Sequence, residues 1–113
     1  MKKFTRIAAI VLVTAVILSG REAAAGGDPS SAGADTFAAK CAACHGKDGS
    51  GNTTMGKKMA LRDLGSAAVQ KQTNQQFHDV TAKGRKKMPA YDKKLSAVQI
   101  DELVAYIRAL AKS

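Results

Sequence analysis

Cys41-Ala42-Ala43-Cys44-His45 is the stretch that decides how this chain folds. Two cysteines at i and i+3 project from one side of a helical turn. Thiols so placed can reach the two vinyl groups of one haem. The adjoining histidine then lies under the ring, with its imidazole toward the iron. Cys-x-x-Cys-His is the attachment pattern of c-type haem. Covalent tethering keeps a cofactor that would otherwise be lost outside the cell. Other uses of the pattern fit less well. A thioredoxin-like redox pair needs a βαβ scaffold, and no apolar-polar alternation marks a strand anywhere. A structural zinc site needs four ligands, and only His78 remains as a further His or Cys. A disulfide across so short a spacing would close no useful loop.

Upstream of the motif, Lys2, Lys3 and Arg6 precede an apolar run from Ile7 to Leu18, broken only by Thr14. Small residues follow and end in Ala23-Ala24-Ala25. A charged start, a short apolar run and a small-x-small site form a secretory signal, expected over 1–25. The run is shorter than the about 20 apolar residues of a spanning helix. An uncleaved membrane anchor is the alternative. Cleavage after Ala25 leaves 88 of the 113 residues, which favours one domain with a small core. A large apolar cofactor would extend that core. Residues 26–113 keep 14 of the 18 Lys and Arg and 8 of the 9 Asp and Glu, a formal charge of +6.

Residues 26–33 are rich in Gly, Ser and Pro and read as a flexible lead-in. The domain is expected over 34–113. A first helix is predicted over 34–44, with Phe37, Cys41 and Cys44 on one face and Gly46 as its cap. The four glycines of 46–58 predict a loop. Leu61 and Leu64 are expected to point inward. A short helix is possible over 67–71. Thr73 with Gln76 forms a capping box opening a helix to Lys83, with Gly84 after it. Its inward face is Phe77, Val80 and Thr81. Ser96 with Gln99 opens the last helix, over 97–111. Its stripe is Ile100, Leu103, Val104, Ile107 and Leu110. The fold class expected is all-α.

A low-spin electron-transfer haem needs a second axial ligand opposite His45. Met55, Met59, Met88 and His78 are the candidates. Met88 is preferred. It lies in the loop between two predicted helices, and Pro89 after it excludes helix there. Met55 and Met59 also read as packing or surface residues. His78 reads as solvated.

Beyond the motif, four stretches resemble the class I c-type cytochromes of the small bacterial monohaem kind. They are FAAKCAACHGKDGSG (37–51), RDLGS (62–66), KGRKKMPAY (83–91) and LSAVQIDELVAYIRAL (95–110). The resemblance spans nearly all of the exported part. It implies three to five helices around one covalently bound haem c, with the first and last helices crossing where Phe37 meets Tyr106. It implies thioethers at Cys41 and Cys44, and iron ligation by His45 and Met88. One departure stands out. Many relatives carry proline before the Asp-Leu of the second stretch, beside a backbone carbonyl that accepts the second imidazole N–H. Here Arg62 stands at that place. It can pair with a haem propionate or simply face water.

These readings imply a monomeric, soluble one-electron carrier rather than an enzyme, exported to a periplasm or beyond. It would work between exported or membrane-bound redox proteins, after haem-ligation machinery has loaded it. No small-molecule substrate is expected. An exported chain with few aromatics is a poor candidate for nucleic acid. Lys83, Arg85, Lys86 and Lys87 flank Met88. They either keep a small protein soluble or steer it toward an acidic partner.

Overall fold

The computed structural model describes residues 28–113. The export segment expected over 1–25 lies outside the described residues. Six helices follow in order: α1 Pro29–Lys40, α2 Ala42–His45, α3 Thr54–Lys58, α4 Ala67–Gln70, α5 Asn74–Lys83 and α6 Ala97–Ala109. There is no strand among the described residues. One isolated backbone bridge joins Arg85 to Met88 inside a turn. The all-α expectation agrees with this.

The first helix begins at Pro29, so residues 29–33 are helix and not lead-in. Asp28 is the reason. Its carboxylate accepts the Ser30 amide at 3.0 Å, and Pro29 occupies the first helical position, where its missing N–H costs nothing. Gly33 is buried in the contact with α6. A Cβ there would lie 2.1 Å from the Glu102 carbonyl oxygen and 2.9 Å from the Tyr106 Cβ. Only hydrogen fits between the two backbones. The residue that reads as flexible is what lets α1 lie directly on α6. Four residues on, the Phe37 and Tyr106 rings meet, with centroids 4.9 Å apart.

α6 carries the stripe that the sequence predicts. Ile100, Leu103, Val104 and Ile107 are buried, and Leu110 is partly so. They serve two clusters. Ile100 and Leu103 pack with Phe37, Ala82 and Leu95. Val104 and Ile107 pack with Val69 and Phe77. Leu64 touches both. Both capping boxes form, at Thr73–Gln76 and Ser96–Gln99. Gly84 follows α5 at φ +74. A side chain there would meet the Met88 carbonyl oxygen at 2.6 Å, so glycine also allows the next loop to fold back.

Arg108 fastens the middle segment to α6. Its guanidinium donates to the carbonyls of Gln70 and Gln72 and to the Asn74 side chain. It also lies 4.6 Å from the Phe77 ring centroid. Gln70 donates to the carbonyls of Leu64 and Ile107, at 2.8 and 2.9 Å. Residues 64–74, poor in regular structure, are thereby held as one wall of the domain.

Candidate haem pocket

The single helix predicted over 34–44 is two helices, broken at Cys41. Cys41 has φ −117°, away from helical values. The Cys44 amide donates to the Cys41 carbonyl at 3.2 Å, so the chain tightens there. Gly46, at φ +81, ends the turn as expected. Both thiols are free and half-buried.

The region 46–58 is not wholly loop. Thr53 caps α3 by accepting the Gly56 amide at 2.8 Å. The same hydroxyl donates to the Cys44 carbonyl at 2.6 Å. α3 therefore sits directly against the attachment turn. The glycine-rich composition hid this helix, although a threonine three residues before Gly56 is an ordinary capping signal.

Cys41, Cys44 and His45 line a cavity of about 580 Å³, within the range of cofactor pockets. Met88 lines it too, from the connection between α5 and α6. Phe37, Leu61, Leu64, Val69, Phe77 and Leu103 make its walls apolar. The expectation that Leu61 and Leu64 point inward agrees with this. Met59 also lines the cavity, whereas Met55 and His78 do not. Met55 is 47% exposed. His78 is half-buried rather than solvated, and its Nδ1 lies 2.7 Å from an Asp101 carboxylate oxygen.

The charges at the cavity have one sign. Lys40, Lys58, Arg62, Arg85, Lys86 and Lys87 line it, with no Asp or Glu. Burial lowers the pKa of His45 below the ordinary imidazole value. The neutral form, the one able to bind a metal, is favoured. Burial pushes the Cys41 thiol up to about 11, opposed by the charge of Lys40 and assisted by Cys44. His45 Nδ1 is buried with no hydrogen-bond partner among the described residues. No carbonyl of the segment after α3 reaches it.

Residues 28–107 match the family model described as cytochrome c oxidase, cbb3-type, subunit III. The chain belongs to this family. It is 37% identical over 89 residues to the cbb3-type cytochrome c oxidase subunit FixP of Azorhizobium caulinodans. That match covers 77% of this chain and 30% of FixP, so the chain spans under a third of that relative. Among solved structures it resembles the KustC0563 c-type cytochrome, with a TM-score of 0.65 and 26% identity over 71% of this chain and 98% of that one. This is a small class I c-type cytochrome with the all-α cytochrome c fold. Its cofactor is covalently attached haem c with iron, and its class of function is haem-based electron transfer.

The cavity of this cytochrome fits that group. It offers two free thiols one turn apart, a half-buried imidazole held toward its neutral form, apolar walls for a macrocycle and basic side chains for carboxylates. Sequence reasoning missed Thr53, Gly33 and the Arg108 clamp. Gly33 and Arg108 act through backbone contacts with segments distant in the chain, and Thr53 through one nine residues away.

Proposed function

We propose that Cys41 and Cys44 hold the haem through thioether bonds, that His45 and Met88 are its axial ligands, and that the protein is an exported one-electron carrier. The observation that carries this reading is the convergence of all four side chains on one cavity from two separate stretches. When bound, the haem iron supplies exchange of one electron between its ferric and ferrous states, with sulfur ligation favouring the ferrous form. Met59 is the rival ligand, since it too lines the cavity. It closes α3, and α3 is bonded through Thr53 to the Cys44 carbonyl. Met59 thus belongs to the wall that carries His45. Met88 comes from the separate connection between α5 and α6, so it would supply a ligand from a second segment. His45 and Met88 together leave no coordination position for a substrate, which is why the protein reads as a carrier and not an enzyme.

The test is an optical and redox titration of the ferric and ferrous protein beside Met88→Ala and Met59→Leu. Wild type is expected to be low-spin, with the weak far-red band of sulfur-ligated ferric haem. Met88→Ala is expected to lose the band, fall in potential and bind cyanide readily. Met59→Leu is expected to keep the band. A band that survives Met88→Ala overturns the ligand assignment.

The likeness to FixP favours a second arrangement, in which the same domain serves within an oxidase assembly and residues before 28 hold it at a membrane. No helix among the described residues is long and apolar enough to cross one. The mass of the protein isolated from its host separates the two. Loss of residues 1–25 with one haem added fits the free carrier; a retained segment and co-purifying subunits fit the assembly.

The all-basic lining adds a docking role. Charges of one sign around a redox site raise the rate of encounter with a partner of the other sign. The proposed partner is a redox protein with an acidic surface at its own electron-exit site.

A further inference from the structure

The helix break at Cys41 leaves a carbonyl to be satisfied. α1 ends at Lys40, and the Cys44 amide turns instead to Cys41, so the Lys40 carbonyl has no helical partner. The Tyr91 hydroxyl donates to it at 3.1 Å. Tyr91 stands three residues after Met88, and its ring lines the same cavity. The ring also packs on the cluster of Phe37, Ala82 and Leu103. Its own amide is shared between the carbonyls of Thr81 and Ala82, both at 3.1 Å, at the open end of α5.

The loop that bears Met88 is thus fixed at several places. Gly84 donates to the Val80 carbonyl at 2.8 Å. Arg85 and Met88 exchange both backbone bonds, at 2.9 and 3.1 Å. All of these tie the loop to itself or to α5. Only the Tyr91 hydroxyl links residues 84–95 by a hydrogen bond to residues 28–45, the stretch with the two cysteines and His45.

We propose that Tyr91 is a positioning residue for the iron: its hydroxyl, bonded to the Lys40 carbonyl, latches the Met88 loop to the Cys41 turn and holds Met88 in place. This rests on the reading of Met88 as an axial ligand. Loss of the hydroxyl frees the loop to swing out without emptying the core, because the phenyl ring stays. Met88 would then hold its place less firmly, and an external ligand competing for that place would bind faster.

The experiment measures the association rate of cyanide with the ferric holoprotein for wild type, Tyr91→Phe and Tyr106→Phe. Tyr106 is the control. Its hydroxyl also donates to a backbone carbonyl, that of Lys47 at 3.2 Å, but does not touch the Met88 loop. Tyr91→Phe is expected to speed cyanide binding by roughly 2- to 10-fold, the worth of one hydrogen bond. Tyr106→Phe is expected to leave the rate unchanged. An unchanged rate in Tyr91→Phe overturns the latch, and so does equal acceleration in both variants, which would report general loosening. Failure of the ligand reading looks different. There Met88→Ala keeps the far-red band, and the latch falls with the assignment it rests on.

Discussion

The Thr53 hydroxyl donates to the Cys44 carbonyl at 2.6 Å and so joins the haem-attachment turn to the start of α3. The bond has a partner on its other side, since the same oxygen accepts the Gly56 amide. Removing the hydroxyl therefore unpairs a carbonyl and a helix cap together. A cap is worth about 1 kcal/mol, and a hydrogen bond of this kind about the same. Thr53→Val, which keeps the shape, is expected to lose about 2 kcal/mol of stability in urea unfolding of the holoprotein. Thr53→Ser is expected to recover most of it. A loss in Thr53→Ser with none in Thr53→Val would mean that the methyl group matters and the hydroxyl does not.

Gly33→Ala tests the close approach of α1 and α6. In an open helix the change to alanine is stabilising by about 1 kcal/mol. Here the new Cβ would sit 2.1 Å from the Glu102 carbonyl oxygen, which is backbone and cannot swing aside. Overpacking of this sort costs about 3 kcal/mol, so the clash outweighs the propensity. A lower thermal midpoint with haem still attached is expected. A raised midpoint would show that the helices stand further apart than this.

These two sites mark what the sequence conveys and what it does not. The stripe of α6 and the boxes at Thr73 and Ser96 were legible because each is a local pattern with its own period or spacing. The attachment motif stands out for the same reason, since its spacing is local, and it lines one cavity with Met88. Gly33 was misread because its purpose lies 69 residues away, at Glu102. A glycine beside Ser and Pro looks like linker until the opposing backbone is known. The break at Cys41 was hidden for a related reason. The Lys40 carbonyl finds its partner in Tyr91, 51 residues on. The lone Nδ1 of His45 belongs here as well. The departure at Arg62 flagged it, but only the path of the chain after α3 shows that no carbonyl arrives.

Stability should depend on pH through Asp63 and Lys112. The Asp63 carboxylate accepts from the Lys112 ammonium and from the Gly65 amide. Its pKa is lowered from the ordinary value of 3.8, first by the Lys112 hydrogen bond and then by Gly65. The Lys112 pKa is raised from 10.5, chiefly by the bond to Asp63. A lowered acid contributes stability that is present above about 3.8 and lost as pH falls through the folded value. A raised base contributes below about 10.5 and loses it above. The pair thus acts across the neutral range and fades at both ends. Asp63→Asn is expected to lower the urea midpoint at pH 7 and to match wild type more closely near pH 2. Lys112 is exposed and Asp63 half-buried at the surface, so salt should shrink the difference. A gap between the two proteins that stays constant with pH would assign the effect to the Gly65 turn alone.

The steering role of the basic collar separates from simple solubility by position. Lys86 and Lys87 line the cavity, whereas Lys47 and Lys71 do not. Lys86→Glu with Lys87→Glu changes net charge by the same amount as Lys47→Glu with Lys71→Glu. If net charge alone mattered, the two pairs would behave alike. If the field at the cavity mouth guides encounter, the first pair slows electron transfer far more. Hexacyanoferrate serves as an anionic probe, and an acidic redox protein as the fuller test. At an ionic strength of about 0.01 M the screening length is about 30 Å, so the whole collar is felt. A drop of about tenfold is expected there for the cavity pair, within the range known for steered association. Near 1 M salt the screening length falls to about 3 Å, and the rates should converge. Equal slowing by both pairs, or a gap that persists at high salt, would remove the case for steering at the cavity.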